Sequence, residues 1–243
     1  MIPIPSSHLA RSLRLESREL ISLVGGGGKS TLLFQIARSA PGSIIATTTT
    51  KMGERQSGGF PIIEGPDFFG LPERSRNEPV FVRQSVKNGK SLGVSSDQCD
   101  HWYADKSLCD YMVVEADGAR HRPFKAPANF EPVVPSSTSV LLSVIGADAL
   151  GRVIADQCHR PLRVAAIAGC SPYQRLTPPR AAAVLISPSG PFKNTPQNAR
   201  RIVVVTKVPS ERDDPTTSRL VSELCDELAG DLEIILVEHE RLG

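Results

Sequence analysis

A run of glycines between an apolar strand and a helix, followed by lysine and a hydroxyl, has the chemistry of a phosphate cradle, and Val24-Gly-Gly-Gly-Gly-Lys-Ser-Thr31 has that form. Gly25, Gly26, Gly27 and Gly28 carry no Cβ, so successive backbone N–H groups can turn inward around anionic oxygens, and the following helix presents its positive end. Lys29 adds a mobile cation for the outer phosphates, and the Ser30 hydroxyl can ligate Mg²⁺. A second set lies on another strand. Glu115 and Asp117 follow the apolar run Tyr111 to Val114, where a carboxylate at the tip of a parallel strand faces a bound nucleotide. Either can hold Mg²⁺ through water, leaving the other to orient a nucleophile.

The long form of the phosphate motif, GxxxxGK[ST], needs a glycine at position 23, where this chain has Leu23. The loop is effectively GxxGKS, a shortened form similar to that of Mur-type ATP-dependent ligases. Thr47-Thr-Thr-Thr-Lys51 places hydroxyls and a cation at the end of a second strand. Thr47 and Thr48 serve equally well as plain strand formers, whereas Thr50 and Lys51 suit a polar cleft beside the γ-phosphate. Arg120, Arg122, Lys125 and Glu131 surround Pro123 and Pro127, a stiff charged segment able to close over an anion. Val203 to Val208 falls where GTP-binding proteins carry Asn-Lys-x-Asp, but Thr206 and Pro209 replace the Asn and Asp. The guanine-reading carboxylate is therefore missing, and ATP and GTP both remain open as the nucleotide.

These groups need a sheet to hold them. Glu19 to Val24 reads as a buried strand, Lys29 to Ser39 as a helix with Leu32, Leu33, Ile36 and Ala37 on one face, and Ser43 to Thr47 as a second strand. That βαβ unit implies a parallel sheet. Phe60 to Glu78 is rich in Pro, Gly and charge and reads as a surface excursion. Pro79 to Val86 and Ser91 to Val94 flank Asn88-Gly89 as a hairpin projecting from the main sheet. Ser95 or Ser96 caps a helix toward Leu108, and Asp110 to Glu115 and Val140 to Ile145 are strands. Ala147 to Pro161 is a loop or short helix. Thr177-Pro178 opens a helix that runs through Ala181 to Ile186, Arg201 to Thr206 is a strand, and Asp214-Pro215 starts a last helix before the strand Leu232 to Val237. The expected fold is α/β: a P-loop-type, mostly parallel sheet flanked by helices, with a small β-hairpin excursion at about 60–94, forming a single nucleotide-binding domain over residues 1–243.

Composition narrows the function classes. A chain of 243 residues buries roughly three quarters of its unfolded surface and needs no staples. With 28 basic against 26 acidic side chains and a formal charge of +2, it has no long-range field for nucleic acid. Five cysteines, none in a CxxC pair, argue against a zinc ribbon or a closed disulfide framework and fit a reducing compartment. The first residues do not have the pattern of a signal peptide, and no run reaches the roughly 18 apolar residues of a membrane span. The expectation is a cytoplasmic protein that contacts neither nucleic acid nor membrane.

Taken together, the glycine loop, Thr47 to Lys51, Glu115-Ala-Asp-Gly118, Lys125-Ala-Pro127, Glu131-Pro-Val-Val-Pro135, Ile145-Gly146 and His159-Arg-Pro161 resemble the YqeC family of selenium-dependent hydroxylase accessory proteins, in order and approximate spacing, from about Leu20 to Val208. The resemblance implies a P-loop-type protein that helps to mature a molybdenum hydroxylase, with that hydroxylase or its cofactor as partner. It also implies that Gly25 to Thr31 bind the triphosphate and that Glu115 and Asp117 serve the metal. By the same likeness Lys125 and Arg120 face the nucleotide or a second substrate, and His159 and Arg160 lie near the cleft. The leading expectation is a Mg²⁺-dependent ATP- or GTP-binding accessory protein with slow NTPase activity, in which Lys29 neutralises phosphate charge, Ser30 and Glu115 hold the metal, and Asp117 positions water or an acceptor. Its rivals are a small-molecule kinase or Mur-like ligase, and a nucleotide-sensing scaffold without turnover.

Overall fold

The computed structural model describes residues 1–66 and 78–239. Its centre is an eight-stranded sheet. In chain order the strands are β1 (Glu19–Gly25), β2 (Ile44–Thr48), β3 (Ile62–Glu64), β4 (Val80–Arg83), β5 (Tyr111–Glu115), β6 (Val140–Gly146), β7 (Arg200–Val208) and β8 (Glu233–Glu238). They lie in the order β8-β7-β6-β1-β5-β2-β4-β3, and every neighbouring pair is parallel. Strands covered on both faces read as continuous apolar runs, and β1, β5 and β6 are buried at every position.

Alternate side chains feed opposite layers. Ile21, Leu23, Val113, Leu142 and Val204 meet α1 (Lys29–Ser39) through Leu32, Leu33 and Ile36. On the other face, Leu20, Ile45, Met112 and Val114 pack against α2 (Ser96–Ala104) through Cys99 and Trp102. Val24, Leu141, Val203 and Val205 share that second face with α3 (Pro161–Ile167), α4 (Pro178–Ile186) and α5 (Pro215–Glu227). Among the described residues no helix is long and apolar enough to cross a membrane.

Local chemistry sets the helix starts. Ser95 forms a capping box with Gln98, and Asp214 accepts from the Thr217 N–H at 2.9 Å. Thr177 occupies the cap position of α4 but makes no side-chain cap bond. Pro178 and Pro179 remove two of the N–H groups that such a cap would serve.

The surface excursion expected over residues 60–94 is smaller than its composition suggests. Ile62–Glu64 is an edge strand of the main sheet and Val80–Arg83 the strand beside it, with Ile62 paired to Phe81; residues 67–77 lie outside the described residues. Only Ser85–Lys87 and Lys90–Leu92 leave the sheet, and they join Lys51–Gly53 in a separate three-stranded antiparallel sheet. Their turn at Asn88 and Gly89 has φ of 52° and 67°, as the Asn-Gly pair requires. Ala147–Pro161 holds a 3₁₀ turn (Ala147–Ala149) and one short helix (Ile154–Gln157), and α3 then starts at Pro161 itself.

Candidate functional site

β1 ends in the glycine loop, at the centre of the sheet, where β2 continues to one side and β6 to the other. Such a reversal of strand order opens a crevice at the carboxyl ends of the strands. The loop is built by close approach. A Cβ on Gly26 would stand 2.4 Å from the Arg122 carbonyl oxygen, and one on Gly27 2.3 Å from the Gly146 nitrogen, so these positions are glycine for want of room. The backbone amides divide into two groups. Gly25 N–H donates to Asp117, Gly26 N–H to the Val144 carbonyl at 2.8 Å, and Gly27 N–H to the Arg122 carbonyl at 3.3 Å. The amides expected to line the cradle are thus turned inward at three of four glycines. Among the described residues, the N–H groups of Gly28, Lys29, Ser30 and Thr31 have no protein partner, and they form the free, positive end of α1.

Behind the loop lies a chain of buried ion pairs. Asp117 meets Gly25 N–H at 3.1 Å through Oδ1 and 3.0 Å through Oδ2. It also takes Lys29 Nζ at 3.2 Å and Lys125 Nζ at 2.9 Å. Lys125 reaches Glu131 at 2.9 Å and the Gly118 carbonyl at 2.8 Å, and Glu131 takes Arg160 at 3.0 Å. The parallel pairing of Phe124–Lys125 with Cys158–His159 holds these last partners together. Lys29 also donates to the Gly25 carbonyl at 2.6 Å. Burial works against its ammonium, but Asp117 and Glu115 outweigh burial and raise its pKa above the ordinary lysine value. For Glu131 burial opposes the charge, yet hydrogen bonds from Arg160, Ala128 N–H and Lys125 hold its carboxyl down at about 2.

Ser30 and Glu115 adjoin that chain through Lys29. Ser30 Oγ donates to Glu115 Oε2 at 2.7 Å. Burial pushes the Glu115 carboxyl up, against Lys29 at 3.9 Å and the serine hydroxyl. A hydroxyl and a carboxylate at the mouth of the glycine loop are hard oxygen donors of the kind Mg²⁺ takes. They line a cleft of about 680 Å³ together with Gly26 to Thr31, Thr50, Lys51, Arg120 and Arg160.

The sequence model of the family described as YqeC protein matches residues 21–162. The chain belongs to the YqeC family. It is 34% identical over 195 residues to the uncharacterized protein YqeC of Escherichia coli (strain K12), an alignment that covers 77% of this chain and 75% of that protein. No solved structure matches the chain.

In this YqeC-family chain the expected site residues fall into two layers. Gly26, Gly27, Gly28, Lys29, Ser30, Thr31, Thr50, Lys51, Glu115 and Arg120 line the cleft, with His159 and Arg160. Gly25, Asp117 and Lys125 lie beneath it, Asp117 and Lys125 buried with their polar atoms engaged. Asp117, two residues past Glu115, holds the loop from below. In the threonine row, Thr47, Thr48 and Thr49 hydroxyls donate to the carbonyls of Val82, Glu115 and Val133, and Thr50 is the member that reaches the cleft. Sequence reasoning passed over Lys90, His121 and Lys207 as cleft residues. Thr206, read from the sequence only as standing where a guanine-recognition motif has Asn, donates its hydroxyl to the Gly27 carbonyl from the end of β7. The signal for Thr206 and Lys207 was their place at the tip of a strand two removed from the loop.

Proposed function

We propose that this chain binds a nucleoside triphosphate, ATP or GTP, with Mg²⁺ at the glycine loop, turns it over slowly, and acts as an accessory protein in maturing a selenium-dependent molybdenum hydroxylase. The observation that carries the nucleotide reading is the coincidence of four unpartnered amides at the start of α1 with Lys29 and the Ser30–Glu115 pair in one cleft. Fixed N–H dipoles and a buried cation bind phosphate oxygens without reorganising, which is worth most where water is excluded. Ser30 and Glu115 would hold Mg²⁺, which when bound neutralises charge on the outer phosphates. Lys29 is already positioned to do the same, since its contacts to Gly25 and Asp117 keep it charged and folded over the loop. Slow turnover fits the position of Asp117, whose carboxylate is engaged by the loop and not presented to water. The accessory role is what the resemblance to the YqeC family implies.

Calorimetric titration of non-hydrolysable ATP and GTP analogues, with and without Mg²⁺, tests the reading. Binding that strengthens with Mg²⁺ and is abolished by Lys29→Ala supports it; no affinity for either nucleotide sinks it. A phosphate-release assay then reads turnover, and tight binding without release points instead to a nucleotide-sensing scaffold.

A further inference from the structure

The cleft is lined by basic side chains beyond Lys29 of the glycine loop. Arg160 is paired with Glu131, Lys207 with Asp148 at 2.6 Å, and the Arg122 guanidinium donates to the Asp156 carbonyl. Of the exposed basic side chains, Lys51, Lys90, Arg120 and His121 remain. All four are exposed cleft residues, and among the described residues none of their side chains has a hydrogen-bond or ion-pair partner.

Their position relative to the loop follows from the sheet. Lys207 ends β7 and Lys51 follows β2, and these strands lie on opposite sides of β1, two strands away in each direction. Four spacings of about 4.8 Å put them roughly 19 Å apart across the cleft. Glu115 ends β5, on the β2 side of the loop, so the metal pair and the outer phosphates that go with it face Lys51. The nucleoside then extends toward β6 and β7. Lys51 therefore stands beyond the outer-phosphate end of the nucleotide, Lys90 is beside it through the Gly53–Lys90 pairing, and Gly118, two residues before Arg120, faces Thr50.

Backbone conformation singles out two of the four. Arg120 and His121 are consecutive L residues with φ of 49° and 61°, a left-handed conformation that non-glycine residues enter at a cost. The surrounding loop enforces it: Lys125 holds the Gly118 carbonyl, Arg122 N–H donates to the Ala119 carbonyl at 2.9 Å, and the Arg122 carbonyl is tied to Gly27 N–H. Neither side chain packs in the core, so their contribution there is the chemistry they present to the cleft.

We propose that Lys51, Lys90, Arg120 and His121 form a second anion subsite, facing the outer-phosphate end of the nucleotide, that takes a small molecule bearing a phosphate monoester. Two lysines and an arginine fork around one dianion give charge-assisted hydrogen bonds, and the arginine fixes its orientation. The proposal rests on the reading of the glycine loop as the nucleotide site, and its test separates the two.

Inorganic phosphate, titrated calorimetrically at mildly alkaline pH into the full chain loaded with Mg²⁺ and a non-hydrolysable triphosphate, is the probe. One phosphate is expected to bind per chain. Lys90→Gln and Arg120→Glu should each weaken it by about tenfold or more, and Lys90→Gln should change nucleotide affinity by less than about threefold. Arg120→Gly accepts the positive φ and removes the guanidinium, so it should lose phosphate binding while raising the unfolding temperature by a few degrees. Phosphate that displaces the nucleotide, fails to saturate, or binds Arg120→Glu as well as the parent overturns the proposal. If no nucleotide binds, yet phosphate still titrates and depends on Arg120, the loop reading fails and the subsite stands. If nucleotide binds and phosphate does not, the subsite fails alone.

Discussion

Asp117 grips the backbone N–H of Gly25 with both carboxylate oxygens, at 3.1 and 3.0 Å, while the same oxygens take Lys29 and Lys125. One buried carboxylate thus fixes the first turn of the glycine loop and compensates two buried ammonium groups. Removing one partner of a buried charge cluster costs more than the cluster itself contributes, because the remaining charges stay desolvated. Asp117→Ala should therefore destabilise the fold by about 3–5 kcal/mol. The single tryptophan, Trp102, is fully buried, so urea unfolding followed by its fluorescence reads the loss. A midpoint equal to that of the parent would refute the clamp.

The loop glycines separate steric from conformational demand. A Cβ at Gly26 meets Arg122 O at 2.4 Å, Pro123 C at 2.7 Å and Phe124 N at 2.9 Å, all backbone. Gly28 has nothing within 4 Å, but its φ is +102°. Gly28→Ala should cost about 1–3 kcal/mol through backbone strain alone. Gly26→Ala must move one loop against another and should cost more, on the order of 3 kcal/mol or above, as other overpacked interior sites do. Thermal unfolding of the two variants side by side checks the order; the reverse ranking would contradict the close packing of residues 122–124 on the loop.

Much of this site was legible before the fold was known, because its signals are local. Four glycines, Lys29 and Ser30 lie within one turn, and Glu115 closes an unbroken apolar run. The role of Asp117 was not legible: both it and Glu115 read as strand-tip carboxylates and both are buried, and only their partners distinguish the one that holds Gly25, Lys29 and Lys125 from the one that lines the cleft. Glu131 and Arg160 are 29 residues apart, and only the two-residue pairing of Phe124–Lys125 with Cys158–His159 brings them together. Ile62–Glu64 hid for a different reason: three residues between Pro61 and Gly65 carry too little periodicity to show a strand, and its pairing with β4 is a tertiary fact. The helix at Pro161–Ile167 hid because its cap, Arg160, has a left-handed backbone at φ 59° and no capping side chain.

Glu131 gives the ion-pair chain a pH signature. Its carboxyl is held at about 2 against an ordinary 4.5, so the folded state binds its proton less readily than the unfolded chain does. A depressed carboxylate stabilises the fold above its unfolded pKa, and that stability is lost as pH falls through the folded value. The window therefore runs from about 4.5 down to about 2, with a loss on the order of 3 kcal/mol across it. Glu131→Gln keeps the shape but has no such proton to take up, and its stability should fall less steeply in that window. Urea midpoints measured at intervals across it decide the matter; parallel curves for the two proteins would show that Glu131 contributes no linkage.

Ser30 and Glu115, joined at 2.7 Å, offer a prediction that separates metal from phosphate. If they hold Mg²⁺ while the amides of Gly28 to Thr31 and Lys29 hold the phosphates, the two functions should come apart on substitution. Ser30→Ala and Glu115→Gln should each reduce nucleotide affinity by about tenfold or more, some 1.4 kcal/mol, in the presence of Mg²⁺. In its absence the loss should be small, because the amides and Lys29 are untouched. Lys29→Ala should weaken binding under both conditions. Calorimetry of each variant with and without Mg²⁺ fills the four comparisons, and equal losses under both conditions would mean that Ser30 and Glu115 support the loop without engaging a metal.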